Sequence, residues 1–338
     1  MKGKRQLLAE VCAGLGLTRL LEGVLRRDAL LVLNYHRIGD AEETPYDSGT
    51  FGPTADQFDW ELQYLKSHFN CIGLQEAVAM MTGQQTLHPS LLITFDDGYL
   101  DNYRTAFPLL RSHGLPATFF LPTSFIGTQR LPWWDTIAYI VKHSRQNSFK
   151  VYYPKPAEFH LDRSKPSNTV FQVLRLCSES STTAYAPLID QLETACDCAR
   201  PDGASERCFL NWDEAREMQA AGMSFGSHTH SHEVLSGLSP ERQIEELTQS
   251  RTVLERELER TVDVLAYPVG RPYTFNRDTQ QALEHSGYRA AFSFYGGANL
   301  PGNLNRLDIR REDCYSPSTA LFRLQVTLAA VGKRLAGA

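Results

Sequence analysis

Two short stretches of the chain gather side chains that can do hydrolytic or metal chemistry. The first is Thr94-Phe95-Asp96-Asp97-Gly98, which closes the apolar run SLLITF, a buried strand by its pattern. Adjacent carboxylates at the carboxyl end of such a strand are costly unless something positive meets them, and a metal ion is the common answer. Two carboxylates can also divide the work, one as ligand and one as base. The plainer reading is a turn or helix start, where Asp and Gly are ordinary. The second stretch is Ser227-His228-Thr229-His230-Ser231-His232, also at the end of a strand pattern. On a helical turn His228 and His232 face one way and can share a metal, with His230 pointing elsewhere. On an extended segment all three histidines share a face and make a different, HxH type of metal site. Taken together, one carboxylate and two histidines leave coordination positions open, as a catalytic zinc site requires.

The elements around these stretches alternate. LLVLNYHRIGD reads as a strand over Leu30 to Leu33 running into a polar turn. Thr54-x-x-Gln57 is a capping box before a helix with Phe58, Leu62, Leu65 and Phe69 on its apolar face. After the strand ending at Phe95 come a helix near Tyr103 to His113 and a strand in LPATFFLP. Further on, Asn211-x-x-Glu214 opens a helix that Gly222 stops, and MSFGSH is a strand. A helix from about Pro240 to Arg260, a strand in VDVLAYP, a helix near Arg277 to Ser286 and a strand in RAAFSF follow. This β/α alternation predicts an α/β fold with parallel strands, whose site belongs at their carboxyl ends. From Gly127 to Cys208 the pattern weakens. LPWWDTIAYIVKHS is helical, VYYPKPAEFHLDRSKPSN suggests a β-ribbon, and helical patterns cover Val170 to Cys177 and Ala184 to Cys196. Its aromatic and aliphatic content marks an insertion, about 128–208, and not a linker.

Composition sets outer limits. The chain has 338 residues, 42% hydrophobic and 22% charged, with net charge -5, which excludes disordered and low-complexity classes and argues against nucleic acid as a partner. No apolar run reaches the length of a membrane span. Seven cysteines stand at irregular spacing, with Cys196-x-Cys198 a weak zinc signal, so free thiols are expected. The basic opening is interrupted by Glu10 and lacks a cleavage site, so no signal peptide is recognised and a cytoplasmic location is expected. Instead Leu7, Val11 and Leu15, then Leu17, Leu20, Leu21, Val24 and Leu25, recur at helical spacing, giving an amphipathic helix over 1–28. Ser316-Pro317 starts a second one over 316–338, with Leu321, Leu324, Leu328, Val331 and Leu335 in a stripe beside Arg323, Lys333 and Arg334. These ends either pack on the main domain, 29–315, or make peripheral contact with an anionic membrane face.

TFDDG followed by HTxxH resembles the first two motifs of the polysaccharide deacetylases, carbohydrate esterase family four, also called the NodB-homology domain. DGYLDNY, LPATFFLP and WDEAREM before GSHTHSH stand in that family's order, and the resemblance runs from Leu30 to Tyr295 apart from the insertion. It implies a distorted, incomplete (β/α) barrel carrying an inserted subdomain. It implies one divalent metal held by Asp97, His228 and His232, zinc first, with cobalt or nickel suited to the same ligands. Asp96 is then the general base, and the reaction removes N-acetyl groups from N-acetylhexosamine units of a bacterial polysaccharide or its lipid-linked precursor. The alternatives are a related C–N hydrolase acting on a small amide, a sugar deformylase, and a non-catalytic carbohydrate-binding relative.

Three departures from the family pattern matter. The Arg-Pro-Pro-Tyr type of third motif is replaced by Ala266-Tyr267-Pro268-Val269-Gly270, a form similar to the exopolysaccharide branch. The arginine that orients the base is missing from its aligned place, and Arg271, directly after, is the candidate substitute. The late Leu-x-His motif is absent, since RLDIRREDC has no histidine, which leaves His36 in LNYHRI as an alternative proton donor or a structural histidine. The insertion opens on Trp133, Trp134 and Asp135, where Trp134 either stacks on a sugar ring or belongs to a core.

Overall fold

The computed structural model describes residues 4–18, 28–41, 44–179, 185–203, 207–313, 316 and 318–333. They form two compact units. One comprises the described residues within 1–39, 52–126 and 210–338, and the other those within 40–51 and 127–209.

The first unit is built on seven parallel strands: β1 (Leu30–Tyr35), β2 (Ser90–Phe95), β3 (Thr118–Leu121), β6 (Ser224–Ser227), β7 (Val264–Ala266), β8 (Ala290–Phe292) and β9 (Glu312–Asp313). Their order is β8-β7-β6-β3-β2-β1-β9. β1 and β2 are buried along their whole length, as continuous apolar runs in a sheet covered on both faces must be. Side chains alternate between the two faces. Leu30, Val32, Leu92, Phe120, Val264, Ala266, Phe292 and Ile309 share one cluster inside the curl of the sheet. Among the described residues the sheet does not pair edge to edge in a full ring. Segment 306–313 bridges the gap instead: Ile309 N donates to Ala291 O and Ser293 N to Ile309 O beside β8, while Glu312 and Asp313 pair with Leu33 and Asn34 of β1. This is the incomplete, distorted barrel that the sequence led us to expect.

The helices follow the local signals. α2 (Ala55–His68) opens on the Thr54–Gln57 capping box, and α8 (Trp212–Ala220) on the Asn211–Glu214 box. A π-helical turn, Asn102–Ala106, leads into α4 (Phe107–His113). Helices α9 (Pro240–Leu258) and α10 (Arg277–His285) follow β6 and β7, and Leu247, Leu265, Tyr267, Leu283 and Tyr288 share a second cluster. One helix was not anticipated: α3 (Leu74–Met81), eight residues long, starts at Gly73 without a side-chain cap. The C-terminal helix, α11 (Thr319–Ala329), takes Ser318 as its N-cap, not Ser316; Pro317 lies outside the described residues. At the other end, α1 (Lys4–Gly14) buries Ala9 against Leu321 and Leu324 of α11. Leu7, Val11 and Leu15, the expected stripe, are 58%, 49% and 69% exposed. The stripe from Leu20 to Leu25 lies outside the described residues, as do Cys314, Arg334 and Leu335. No helix among the described residues is long and apolar enough to cross a membrane.

The second unit has its own core. Helices α5 (Trp133–Lys142), α6 (Pro166–Glu179) and α7 (Ala186–Cys196) pack with an antiparallel pair, β4 (Ser148–Val151) and β5 (Ala157–His160). Ile137, Ile140, Val141, Phe149, Phe159, Val173, Leu188 and Leu192 form the cluster they share. Segment 40–51 belongs here as well: Asp47 N donates to Asp135 Oδ1 at 3.0 Å, and Lys142 Nζ to Thr44 O at 3.0 Å. Trp134, at the start of α5, is buried at 6% exposure and offers no open face for a sugar ring.

Candidate metal centre and catalytic base

The two chemistry-bearing stretches meet at the carboxyl ends of β2 and β6. β2 ends at Phe95, and Asp96 N extends the ladder by donating to Tyr35 O at 3.0 Å. Leu92, Thr94 and Asp96 therefore point into the barrel in succession. The chain then turns sharply through Asp97 (φ 71°) and Gly98 (φ 69°). The left-handed conformation costs a non-glycine residue free energy, and such strain gathers at functional sites. A Cβ at Gly98 would sit 2.5 Å from Leu121 Cδ2, so this position also needs glycine for space.

The histidine stretch is neither a helical turn nor an extended segment. Thr229 (φ 65°) and His232 (φ 60°) fold it into a tight loop. The outcome is the pairing of His228 with His232, while His230 Nδ1 lies 2.8 Å from Thr123 Oγ1. Asp97 Oδ1 is 3.5 Å from His228 Nε2 and 3.4 Å from His232 Nε2. One ligand atom from each of the three lies within 4.8 Å of the others, and all three side chains are buried. Among the described residues no other group of three His, Cys, Asp or Glu side chains converges in this way, Cys196 and Cys198 included.

This geometry fits a divalent cation. Asp97 Oδ1 is buried, and no other donor among the described residues reaches it. His228 Nδ1 lies 2.8 Å from Ala266 O, which can only accept, so Nδ1 carries the proton and the Nε2 lone pair faces Asp97. Burial pushes the His228 imidazole down to about 4, which keeps it neutral and able to ligate. Burial alone would raise Asp97, but the facing histidines, His232 first, hold it below its ordinary value. One hard oxygen and two imidazole nitrogens suit zinc, cobalt or nickel.

Beside this group Asp96 sits in a network that the sequence did not reveal. Arg311 donates from Nη1 to Asp96 Oδ1 at 2.7 Å and from Nη2 to Asp96 Oδ2 at 2.8 Å, a bidentate pair with both side chains buried. The guanidinium also donates to Asn34 Oδ1 at 2.7 Å and to Ser293 O at 2.9 Å. Asn34 in turn donates to Asp96 Oδ2 at 3.0 Å and accepts from Thr94 Oγ1 at 2.8 Å. Burial would raise Asp96, yet the charge and hydrogen bonds of Arg311 outweigh it and hold the carboxyl far below the usual range. The guanidinium on Asp96 is thus that of Arg311 and not of Arg271, which is exposed just after the Pro268 turn. His36, at the end of β1, places Nε2 3.9 Å from Asp96 Oδ2, with its ring beside Phe294. Asn102 Nδ2 holds its carbonyl at 2.7 Å.

A sequence model of the family described as polysaccharide deacetylase matches residues 83–151 and 160–291. The chain belongs to the polysaccharide deacetylase family. The Bacillus subtilis (strain 168) protein YxkH, named for the same family, is 25% identical over 246 residues, covering 72% of this chain and 58% of its own. A poly-β-1,6-N-acetyl-D-glucosamine N-deacetylase of Staphylococcus epidermidis is 31% identical over 114 residues, covering 30% of this chain and 39% of its own. The chain thus spans little more than half the length of one curated relative and less of the other. Among solved structures, the Streptococcus pyogenes deacetylase PplD in complex with acetate superposes with a TM-score of 0.57 at 18% identity, covering 90% of this chain and 98% of that one. IcaB from Ammonifex degensii gives 0.56 at 20% identity, with the same coverage. At these identities the likeness is one of fold. The family match takes in Asp96, Asp97, His228 and His232 and excludes Asn34, His36 and Arg311.

Proposed function

We propose that the protein is a divalent-metal-dependent hydrolase that removes N-acetyl groups from N-acetylhexosamine units of a glycan. The observation that carries this is the convergence of Asp97, His228 and His232 beside a second carboxylate, Asp96, with an arginine of its own. A cation held by those three residues would polarise an acyl carbonyl and make a water more acidic. Arg311 keeps Asp96 ionised across the neutral range, so the carboxylate is ready to accept a proton from that water. The same pairing makes Asp96 a weak base and fixes both its oxygens in place, which favours transfer from an acidified water over one from bulk. On the Asp96 Oδ2 side, His36 is the proton donor to the departing amine in this reading, at 3.9 Å from that oxygen and partly open to solvent. A pure binding role gives no use for a buried base with a dedicated counter-charge.

The staphylococcal relative is named for poly-β-1,6-N-acetyl-D-glucosamine, and a β-linked N-acetylglucosamine chain is the substrate class we assign here. Leu7, Leu8 and Val11, exposed on α1 beside Lys4, and Leu15 just after it suit a peripheral membrane contact that would bring the enzyme to a lipid-linked precursor. The test is acetate release from N-acetylglucosamine oligomers with zinc or cobalt added. Wild type is expected to release acetate. Asp96→Asn should lose release while still binding metal, and His36→Gln should lose most of the rate. Metal-loaded wild type that releases no acetate from any β-linked oligomer would overturn the proposal.

A further inference from the structure

The loop that presents His228 and His232 gets none of its own amide hydrogen bonds from the sheet beyond His228. His228 N still donates to Leu121 O, at 3.0 Å. From there four successive N–H groups turn to side chains. Thr229 N donates to Ser227 Oγ at 3.1 Å, His230 N and Ser231 N donate to Glu246 Oε2 at 3.1 and 2.8 Å, and His232 N donates to Thr229 Oγ1 at 3.0 Å. Glu246 also accepts from Ser231 Oγ at 2.8 Å through Oε1. On its far side it meets Arg242 Nη2 at 3.1 Å. Its side chain is fully buried. One helical turn on, Ser250 Oγ is 2.8 Å from Ser227 Oγ, so one face of α9 braces the loop at two points.

A buried carboxylate is costly unless donors surround it, and here the donors are the loop itself. Thr229 and His232 both stand in the left-handed region, a costly conformation for a non-glycine residue that persists only where the surroundings over-determine it. We propose that Glu246 is a positioning residue: its carboxylate clamps residues 230 and 231 and thereby aims His232 at Asp97 and His228. This rests on the metal-site reading above. Residues bracing metal ligands from behind commonly change metal affinity by about 10- to 100-fold when removed.

The test measures metal affinity of the full chain, stripped of metal and titrated with zinc against a chromophoric chelator. Cobalt absorption serves as a second readout of ligand geometry. Glu246→Ala should raise the zinc dissociation constant by about 10- to 100-fold and alter the cobalt spectrum. Glu246→Gln keeps an oxygen where the two N–H groups point and should bind within about threefold of wild type, whereas Glu246→Met fills a similar volume with no acceptor and should bind as weakly as Glu246→Ala; a metal-tight Glu246→Met would reduce the role of Glu246 to packing and overturn the inference. Glu246→Asp keeps the charge but shortens the reach by one methylene, and should weaken binding by about tenfold. It carries the test if Glu246→Ala does not fold. Unchanged affinity and cobalt spectrum in folded Glu246→Ala or Glu246→Asp would overturn the inference, and so would Glu246→Gln as weak as Glu246→Ala. Wild type that binds neither metal would overturn both this inference and the proposed function, whereas metal-tight wild type with metal-tight variants overturns this inference alone.

Discussion

Replacing Arg311 by Met removes the counter-charge of Asp96 and leaves a flexible apolar side chain in its place. Asp96 is then buried with Asn34 Nδ2, at 3.0 Å, as its remaining close donor in the network described above. Two charge-assisted bonds of 2.7 and 2.8 Å are lost, together with those to Asn34 Oδ1 and Ser293 O. Breaking a buried pair from one side costs about 3–5 kcal/mol, a large part of the roughly 5–15 kcal/mol that holds a domain folded. The pH dependence follows from the direction of the shift. In wild type the folded value of Asp96 lies below the unfolded one, so its contribution is complete above the usual carboxylate range and fades only at lower pH. In Arg311→Met, burial acts with no arginine against it, and the folded value lies above the unfolded one. The native state then takes up a proton that the unfolded chain releases, and the deficit shrinks as pH falls from about 7 towards 5. Urea unfolding of metal-free protein at both pH values checks this, with Asp96→Asn and the double variant beside it. We expect a deficit of about 4 kcal/mol at neutral pH, a smaller one in acid, and a double variant less unstable than the sum of the singles. A deficit under about 1 kcal/mol, or one indifferent to pH, would refute the reasoning.

Two further outcomes concern buried titratable groups in the metal-free protein. His228 is held at about 4 against an ordinary 6.5, so the unfolded chain takes the proton first. Stability should therefore fall as pH drops through that window, by about 3 kcal/mol, and His228→Asn should flatten this part of the profile in urea titrations. Glu61, buried behind Tyr35 with its Oε2 2.9 Å from the phenol, is pushed up to about 8 by burial, which the Tyr35 hydrogen bond only partly offsets. Its native state keeps a proton that the unfolded chain releases above the ordinary glutamate value, so stability should decline as pH rises towards 8. Glu61→Gln should remove that decline in thermal melts across the same range, and an unchanged slope would contradict the assignment.

The parts of the molecule that could be read from the sequence are those written in local patterns. Continuous apolar strands, capping boxes at Thr54 and Asn211, and stop signals such as Gly222 mark the β/α alternation. The carboxylate pair and the histidine stretch stand at strand ends in plain view. What stayed hidden depends on distant packing. Arg311 lies 215 positions from Asp96 and beyond the residues the family match covers. Its trace was no more than an arginine pair in the charged stretch RLDIRREDC, and the matching trace at β1 was Asn34, a lone amide at the end of LLVLNY. Glu246 was invisible for the opposite reason, since a glutamate in a helix full of Glu and Arg reads as a solvated one. Trp134 shows the limit of residue type as a guide: an aromatic beside a groove and an aromatic in a core have the same letter.

The bridging segment also sets an order in time. A ribosome delivers residues 30–35 and 90–97 long before residue 311, so through most of synthesis the barrel strands carry an acidic group whose partner does not yet exist. Domains that fold from their N-terminal end during translation cannot close this interior early without burying an unpaired charge. The nascent chain is thus expected to hold its carboxylate in water until the last strand arrives. A ribosome-stalled chain ending at residue 305 should remain open to protease in β1 and β2, and one extended well past residue 313 should become resistant.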